Sequence, residues 1–372
     1  SSILRAWSQD RRRSRGESKY DPRHRECLAV NQYCEQAVKS KEVNMDKGKV
    51  VLYVEGAYQA LLGCKSPQGV KEWHKSQRRK LGEQKELGNK EYKSWVKGIE
   101  DKKVKQVSEN IQVPLMLKLM KQAGMKQVTS EFIRKVFSEG AEYIDDVDIS
   151  GLYPELPVEK QFGNYEYIEP PVLKKVWDVN QTVLTSEHVR VPDKYTDKIY
   201  QYTQQEVDIS TKGSLPFVTI LGPIHTLQTL PLDEVVPAFR FWVQQDVASG
   251  ADEGRTVDDL TASGGNYRTR IREKLELPSL DDFVAMVKRV SELFPEEVWG
   301  SQVFFKQDMR KAFRQVPGCE NSRKWGVFAV RNPQSTFFEL FQHLSLPFGA
   351  RAAPLLFCAV ARILCELRRF TW

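Results

Sequence analysis

Hydrophobic positions change their period as this chain runs. In KEWHKSQRRKLGEQKELGNKEYKSWVKGIEDKKVKQ, residues 71–106, aromatic and aliphatic positions are sparse and fall at helical spacing among many Lys, Arg and Glu. That pattern predicts a solvated helix carrying Glu/Lys pairs, with Trp73, Tyr92 and Trp95 as its inward stripe. IQVPLMLKLMKQAG, from 111, predicts a helix that opens near Pro114 and stops at Gly124, and VTSEFIRKVFSEG a second one, capped at Thr129 or Ser130 and ending at Gly140. LYPELP and EPPVL then mark an extended, irregular connector across 141–180.

Beyond residue 181 the pattern is mixed. HVRVPDKYTDKIYQYTQQEVDIS reads as an amphipathic helix after Pro192, and LPFVTILG and PAFRFWVQQD read as strands. LPSLDDFVAMVKRVSELFP, 277–295, reads as a helix capped by Ser279 or Asp281, with Phe283, Met286, Val287, Val290, Leu293 and Phe294 on one face and the Asp281–Asp282 pair serving its N-terminus. WGVFAVR and TFFELFQHL flank an Asn-Pro turn and predict a β-hairpin. The expected architecture is α+β: a basic tail over 1–40, a mainly helical basic module over 41–165, and a mixed helix–strand region over 166–372.

Composition narrows the class. The 372 residues are 41% apolar, enough for a sizeable core in two or three domains, and no run of eighteen apolar residues predicts a membrane span. The formal charge of +7 favours acidic partners such as nucleic acid. Arg78, Arg79 and Lys80, with Trp73 and Trp95 interleaved, form a pattern that suits RNA, since cations contact phosphates while aromatic rings stack on unpaired bases. The six cysteines show no CxxC pairing and read as free thiols of a reducing compartment. The Ser- and Arg-rich opening, SSILRAWSQDRRRSRGESKYDPRHR, fits three origins: the remnant of an organelle-targeting segment, the edge of a longer polyprotein, or a nucleic-acid-binding arm. From the first comes an expectation of the mitochondrial matrix.

Chemistry concentrates in three segments. VFFKQDMRKAFRQVP, 303–317, puts Asp308 at the end of an apolar strand-type run, where a carboxylate is rigidly held yet faces solvent and suits a hard cation such as Mg²⁺. LSLPFGARAAPLLFCAVARIL, 344–364, is a Pro-Phe-Gly turn leading into a helix of small and apolar residues, against which a flat substrate can lie. GRTVDDLTASGGN, 254–266, places Arg255 four residues before Asp259.

In these residues the chain resembles reverse transcriptases of retroelement polyproteins, over about 185–372. The matching positions are Asp308 and Phe313; Leu346-Pro347-Phe348-Gly349 with Ala353-Pro354 and Phe357; and Arg255 with Asp259, where the family's second arginine is Thr261. The resemblance implies a fingers and early palm region. Asp308 would be a catalytic, metal-binding carboxylate, Phe313 the ring that excludes a ribose 2′-hydroxyl, Phe348 and Gly349 the flanks of the incoming nucleotide, and Arg255 a triphosphate contact paired with Asp259. It also implies a further Tyr-x-Asp-Asp hairpin, because two-metal phosphoryl transfer needs several carboxylates. Tyr143-Ile144-Asp145-Asp146 matches that motif literally, but it lies far upstream and follows SEGAE instead of an apolar strand, and reads as a solvated connector.

With Asp308 as the one matched catalytic carboxylate, the expected function is a reverse-transcriptase-derived, catalytically incomplete, RNA-binding or structural subunit of a larger ribonucleoprotein assembly, without cofactor, whose protein partners cover the truncated palm. The alternatives are the N-terminal part of an active RNA-directed DNA polymerase, which would use Mg²⁺, or a structural subunit of an assembly without RNA.

Overall fold

The computed structural model describes residues 67–163, 194–207, 217–223, 237–244, 254–293, 309, 311–335 and 338–371. Two compact units separate, one of 1–76 with 276–308, the other of 77–275 with 309–372.

In the larger unit the chain first lays down helices. Most of α1 (Pro67–Leu87) belongs to it, and α2 (Asn89–Gly98), α3 (Lys102–Ser108), α4 (Val113–Gln122) and α5 (Gln127–Ser138) follow. Asp101 caps α3, its carboxylate accepting from the backbone N–H groups of Lys103 and Val104. Pro114 sits in the first turn of α4, and Gly124 ends it with a φ of 68°. α5 departs from expectation at its start. Lys126 holds the capping position without a side-chain bond, and Thr129 is buried. The apolar stripe of the helix claims Thr129, and a buried side chain facing the core is not free to turn back and cap.

After α6 (Thr196–Val207) come β1 (Val218–Pro223), β2 (Ala238–Gln244) and β3 (Gly254–Asp258), a short helical turn α7 (Gly265–Arg268), then α9 (Glu320–Trp325), β4 (Val327–Arg331), β5 (Phe338–His343) and α10 (Ala353–Thr371). Between α7 and α9 in chain order lies α8 (Leu280–Leu293), in the smaller unit. The five strands form one mixed sheet in the order β1-β5-β4-β2-β3. Its pairs are antiparallel except β2 with β4, which run parallel through Ala238↔Phe328 and Phe239↔Ala329. The hairpin expected around Asn332-Pro333 is β4–β5, its turn held by the Asn332 side chain accepting from the Gln334 N–H at 2.8 Å. The chain is therefore α+β.

One hydrophobic core serves helices and sheet together. Met116, Met120, Phe132 and Val136 from α4 and α5 join Trp242, Phe328 and Phe341 from the sheet and Leu355, Leu356 and Ile363 from α10. The boundary expected near residue 165 falls among residues outside the described set, and the helices before it and the sheet after it share this core.

In α8 the cap is Ser279. Its Oγ accepts from the Asp282 N–H at 3.1 Å while Asp282 accepts from the Ser279 N–H at 2.7 Å, a reciprocal capping box. Among its described side chains Val284, Ala285 and Val287 are buried and Phe283 is half-buried; Met286, Val290, Leu293 and Phe294 of the expected face lie outside the described set. No helix among the described residues is long and apolar enough to cross a membrane.

Candidate functional site

The three chemical segments meet at Phe348. β3 exposes Arg255 by simple alternation: Thr256 and Asp258 point inward and Arg255 outward. The Arg255 guanidinium lies 5.9 Å from the Phe348 ring centroid, and Arg314, from the segment after Asp308, stands 5.4 Å from the same ring. The Phe313 ring is 5.1 Å from Phe348 and 5.4 Å from Phe357, in tilted and edge-on geometries that aromatic quadrupoles favour. Four residues that sequence reasoning assigned to one nucleotide site, Arg255, Phe313, Phe348 and Gly349, are thus neighbours around one turn.

That turn is built against β3. The Phe348 carbonyl accepts from the Asp258 N–H at 3.0 Å, and Gly349 takes a φ of 106°. A Cβ at Gly349 would sit 1.9 Å from the Asp258 carbonyl oxygen, so only glycine fits. Asn266, which sequence reasoning passed over, stitches the same place. Its Nδ2 donates to Thr261 Oγ1 at 2.9 Å and to the Gly349 carbonyl at 3.0 Å, and its Oδ1 accepts from the Arg351 N–H at 2.9 Å.

Asp259, expected beside Arg255 at a triphosphate, bonds within its own loop. Its Oδ1 accepts from the backbone N–H groups of Thr261, at 3.1 Å, and Ala262, at 2.9 Å, and so holds the loop after β3 in shape. The inward neighbour, Asp258, is the busier carboxylate.

Under the turn lies a buried ionic network with members from five places in the chain. Arg240 on β2 forks onto Asp258, with Nε to Oδ1 at 2.8 Å and Nη2 to Oδ2 at 3.0 Å, and reaches Glu206 on α6 through Nη1 at 2.9 Å. Arg314 also pairs with Glu206, at 2.9 Å. His343, at the end of β5, lies between the two arginines. Its Nδ1 is 2.7 Å from Arg314 Nη1 and its Nε2 is 2.7 Å from Asp258 Oδ2. A guanidinium only donates, so Nδ1 must accept and Nε2 must carry the proton that goes to Asp258. The ring is therefore neutral, and the network of two arginines and two carboxylates balances.

The titration behaviour follows from this arrangement. Burial, then the neighbouring Arg314, push His343 down to about 4. Burial would raise both carboxyls, but Arg314 and Arg240 hold Glu206 down at about 2, and Arg240 and His343 hold Asp258 well below the ordinary range. The network reaches one residue away from each motif: Asp258 beside Asp259, Arg314 beside Phe313, His343 just before Leu344. Next to it, where β2 and β4 stop pairing, a cleft of about 350 Å³ opens between Phe239, Phe241, Asp259, Val330 and Phe338.

The remaining expected site residues divide. Asp308 lies outside the described residues. Among those described, no group of three or more His, Cys, Asp and Glu side chains is placed to hold a metal ion, so no step through Mg²⁺ is derived. Arg78, Arg79 and Lys80 are exposed on α1, where Arg79 pairs with Glu83 at 3.5 Å. Trp73 lies on the same helix, its side chain outside the described set. Trp95 packs half-buried against the core, as the inward stripe of the helix predicts.

Tyr143-Ile144-Asp145-Asp146 is no hairpin. Tyr143 and Ile144 are fully buried, their N–H groups donating to Ser322 Oγ, and Asp145 pairs with Arg268 at 2.6 Å. The segment is a core-anchored loop, not the solvated connector expected, because its two apolar side chains enter the core while only its aspartates face outward. Cys319, Cys358 and Cys365 are free thiols, and burial pushes Cys319 up to about 11.

No protein-family model matches the chain, and no protein of curated function matches it significantly.

Proposed function

We propose that this chain is a nucleotide- and RNA-binding module of reverse-transcriptase type, carrying the fingers and early palm motifs of that family and serving as a subunit of a larger ribonucleoprotein assembly. One observation carries the reading: three segments separated by tens of residues converge on the Phe348 turn, with an exposed cation, two aromatic rings and a glycine around one place. Chemically, a guanidinium beside a half-buried aromatic ring suits a triphosphate joined to a flat base. A backbone without a side chain at Gly349 lets that base or its sugar approach closely.

A second reading, an RNA-directed DNA polymerase, is favoured by the same retention of Arg255 and Phe313 next to the segment that bears Asp308. The two readings share the nucleotide site and differ in turnover. Equilibrium binding of a fluorescent deoxynucleoside triphosphate tests the shared part: the wild-type chain binds and Arg255→Ala binds at least about tenfold more weakly, the scale of one lost charge-assisted contact. Absence of binding by the wild-type chain sinks both. Extension of a primed RNA template separates them. Incorporation that Asp308→Asn abolishes identifies the polymerase, and nucleotide binding without incorporation identifies the binding module.

A further inference from the structure

One segment carries a positive excess as large as that of the whole chain. Residues 77–126 hold thirteen Lys and Arg against six Asp and Glu, an excess of seven that equals the formal charge of the whole chain, so the other residues are balanced as a set. The fold sorts this segment by face. On α2, Val96, Tyr92 and Trp95 are half-buried and Trp95 meets the core, while Lys90, Lys93 and Lys97 are exposed. At 100° per residue the three lysines lie within about 60° of one another and span about 10 Å of the helix. None of the three has an ion-pair partner among the described residues. Lys85 before them and Lys102 after them are exposed as well.

We infer that the outer face of α2, extended by Lys85 and Lys102, is a binding surface for the phosphodiester backbone of RNA, working through charge alone. This deepens the RNA-binding part of the proposed function and rests on it. Of the two aromatic rings in this segment Trp95 packs against the core and Tyr92 is half-buried, so the exposed face offers cations without a stacking ring and sequence is not read. Contacts of this kind position a strand and are sequence-tolerant. A membrane surface requires an apolar flank beside the cations, and the apolar flank of α2 is used by the core. The surface is joined to the nucleotide site through the same unit: Lys103 on α3 donates to Gln342 at 2.5 Å, and Gln342 immediately precedes His343 of the ionic network.

The test is RNA binding by the full chain across a salt series, with Lys90→Gln/Lys93→Gln/Lys97→Gln as the variant. Helix formers replace exposed helix residues, and circular dichroism confirms that the variant is folded. Removing three phosphate contacts lowers the slope of log affinity against log salt by about 2 on single-stranded RNA, with a loss of about tenfold or more at low salt. Poly(U) and poly(A) bind alike within about twofold, since stacking strength plays no part. The triple variant binds the fluorescent deoxynucleoside triphosphate as the wild-type chain does, which separates this surface from the nucleotide site; a failure of nucleotide binding with the RNA slope intact leaves the inference standing. A triple variant with the wild-type slope overturns it. So does wild-type binding to phosphatidylserine vesicles that exceeds binding to RNA.

Discussion

Asp258 and Gly349 are fitted back to back: the Asp258 carbonyl oxygen occupies the space that a side chain at position 349 would need, 1.9 Å from where its Cβ would be. The contact joins the end of β3 to the Leu-Pro-Phe-Gly turn and sets Arg255 above Phe348.

Gly349→Ala should therefore damage both stability and site. A φ of 106° is strained for alanine, at about 1–3 kcal/mol, and the clash displaces one of two backbones. Urea unfolding reads the first effect and nucleotide binding the second. Gly82→Ala is the opposite case. It sits within α1 with nothing within 4 Å of a new Cβ, so the variant gains about 0.5–1 kcal/mol.

Arg240→Met should destabilise by about 3–5 kcal/mol, because it strands Asp258, and in part Glu206, as buried carboxylates. Adding Asp258→Asn removes the stranded charge. The double variant should then lose less than the two single losses combined, and a double-mutant cycle by urea unfolding measures the difference.

Stability should fall with acid in two stages. His343 titrates at about 4 in the folded chain against 6.5 ordinarily, so the unfolded chain binds the extra proton first. Its contribution is complete above 6.5 and is lost as pH falls toward 4, on the order of 3 kcal/mol. Glu206, at about 2 against 4.5, contributes above 4.5 and loses its part below that. His343→Gln should flatten the slope of unfolding free energy between pH 4 and 6.5 while leaving the lower stage.

Asn266→Ala should weaken nucleotide binding without touching the nucleotide. It frees the Gly349 carbonyl and the Arg351 N–H from the loop that positions them, at about 1–3 kcal/mol of stability. Asp146→Ala, exposed in the misleading Tyr-Ile-Asp-Asp segment, should change neither stability nor binding by more than about 0.5 kcal/mol.

Elements were legible where period and punctuation agreed. The α4 helix, Val113–Gln122, opens at Pro114 and stops before Gly124 as expected, and the β4–β5 hairpin turns at Asn332-Pro333. β2 was legible as a strand and misleading in its faces. Arg240 and Trp242 point inward while Phe241 and Val243 are about two-fifths exposed, because two carboxylates await the arginine inside. The sequence reading took Arg255 and Asp259 as one motif and assigned no strand there, and nothing local told that Asp258, not Asp259, would be the buried partner.

By itself the sequence determined the longer helices, four of the five strands, the α+β class, the basic segment and the motif residues around Phe348, since each depends on neighbours within a few turns or on residue chemistry alone. Only the tertiary structure decided that Arg240, Glu206, Asp258, Arg314 and His343 form one neutral network, and that Asp258 is the carboxylate Arg240 and His343 share. Those outcomes depend on which buried charges meet, and charges from five separate segments meet only once the chain has folded.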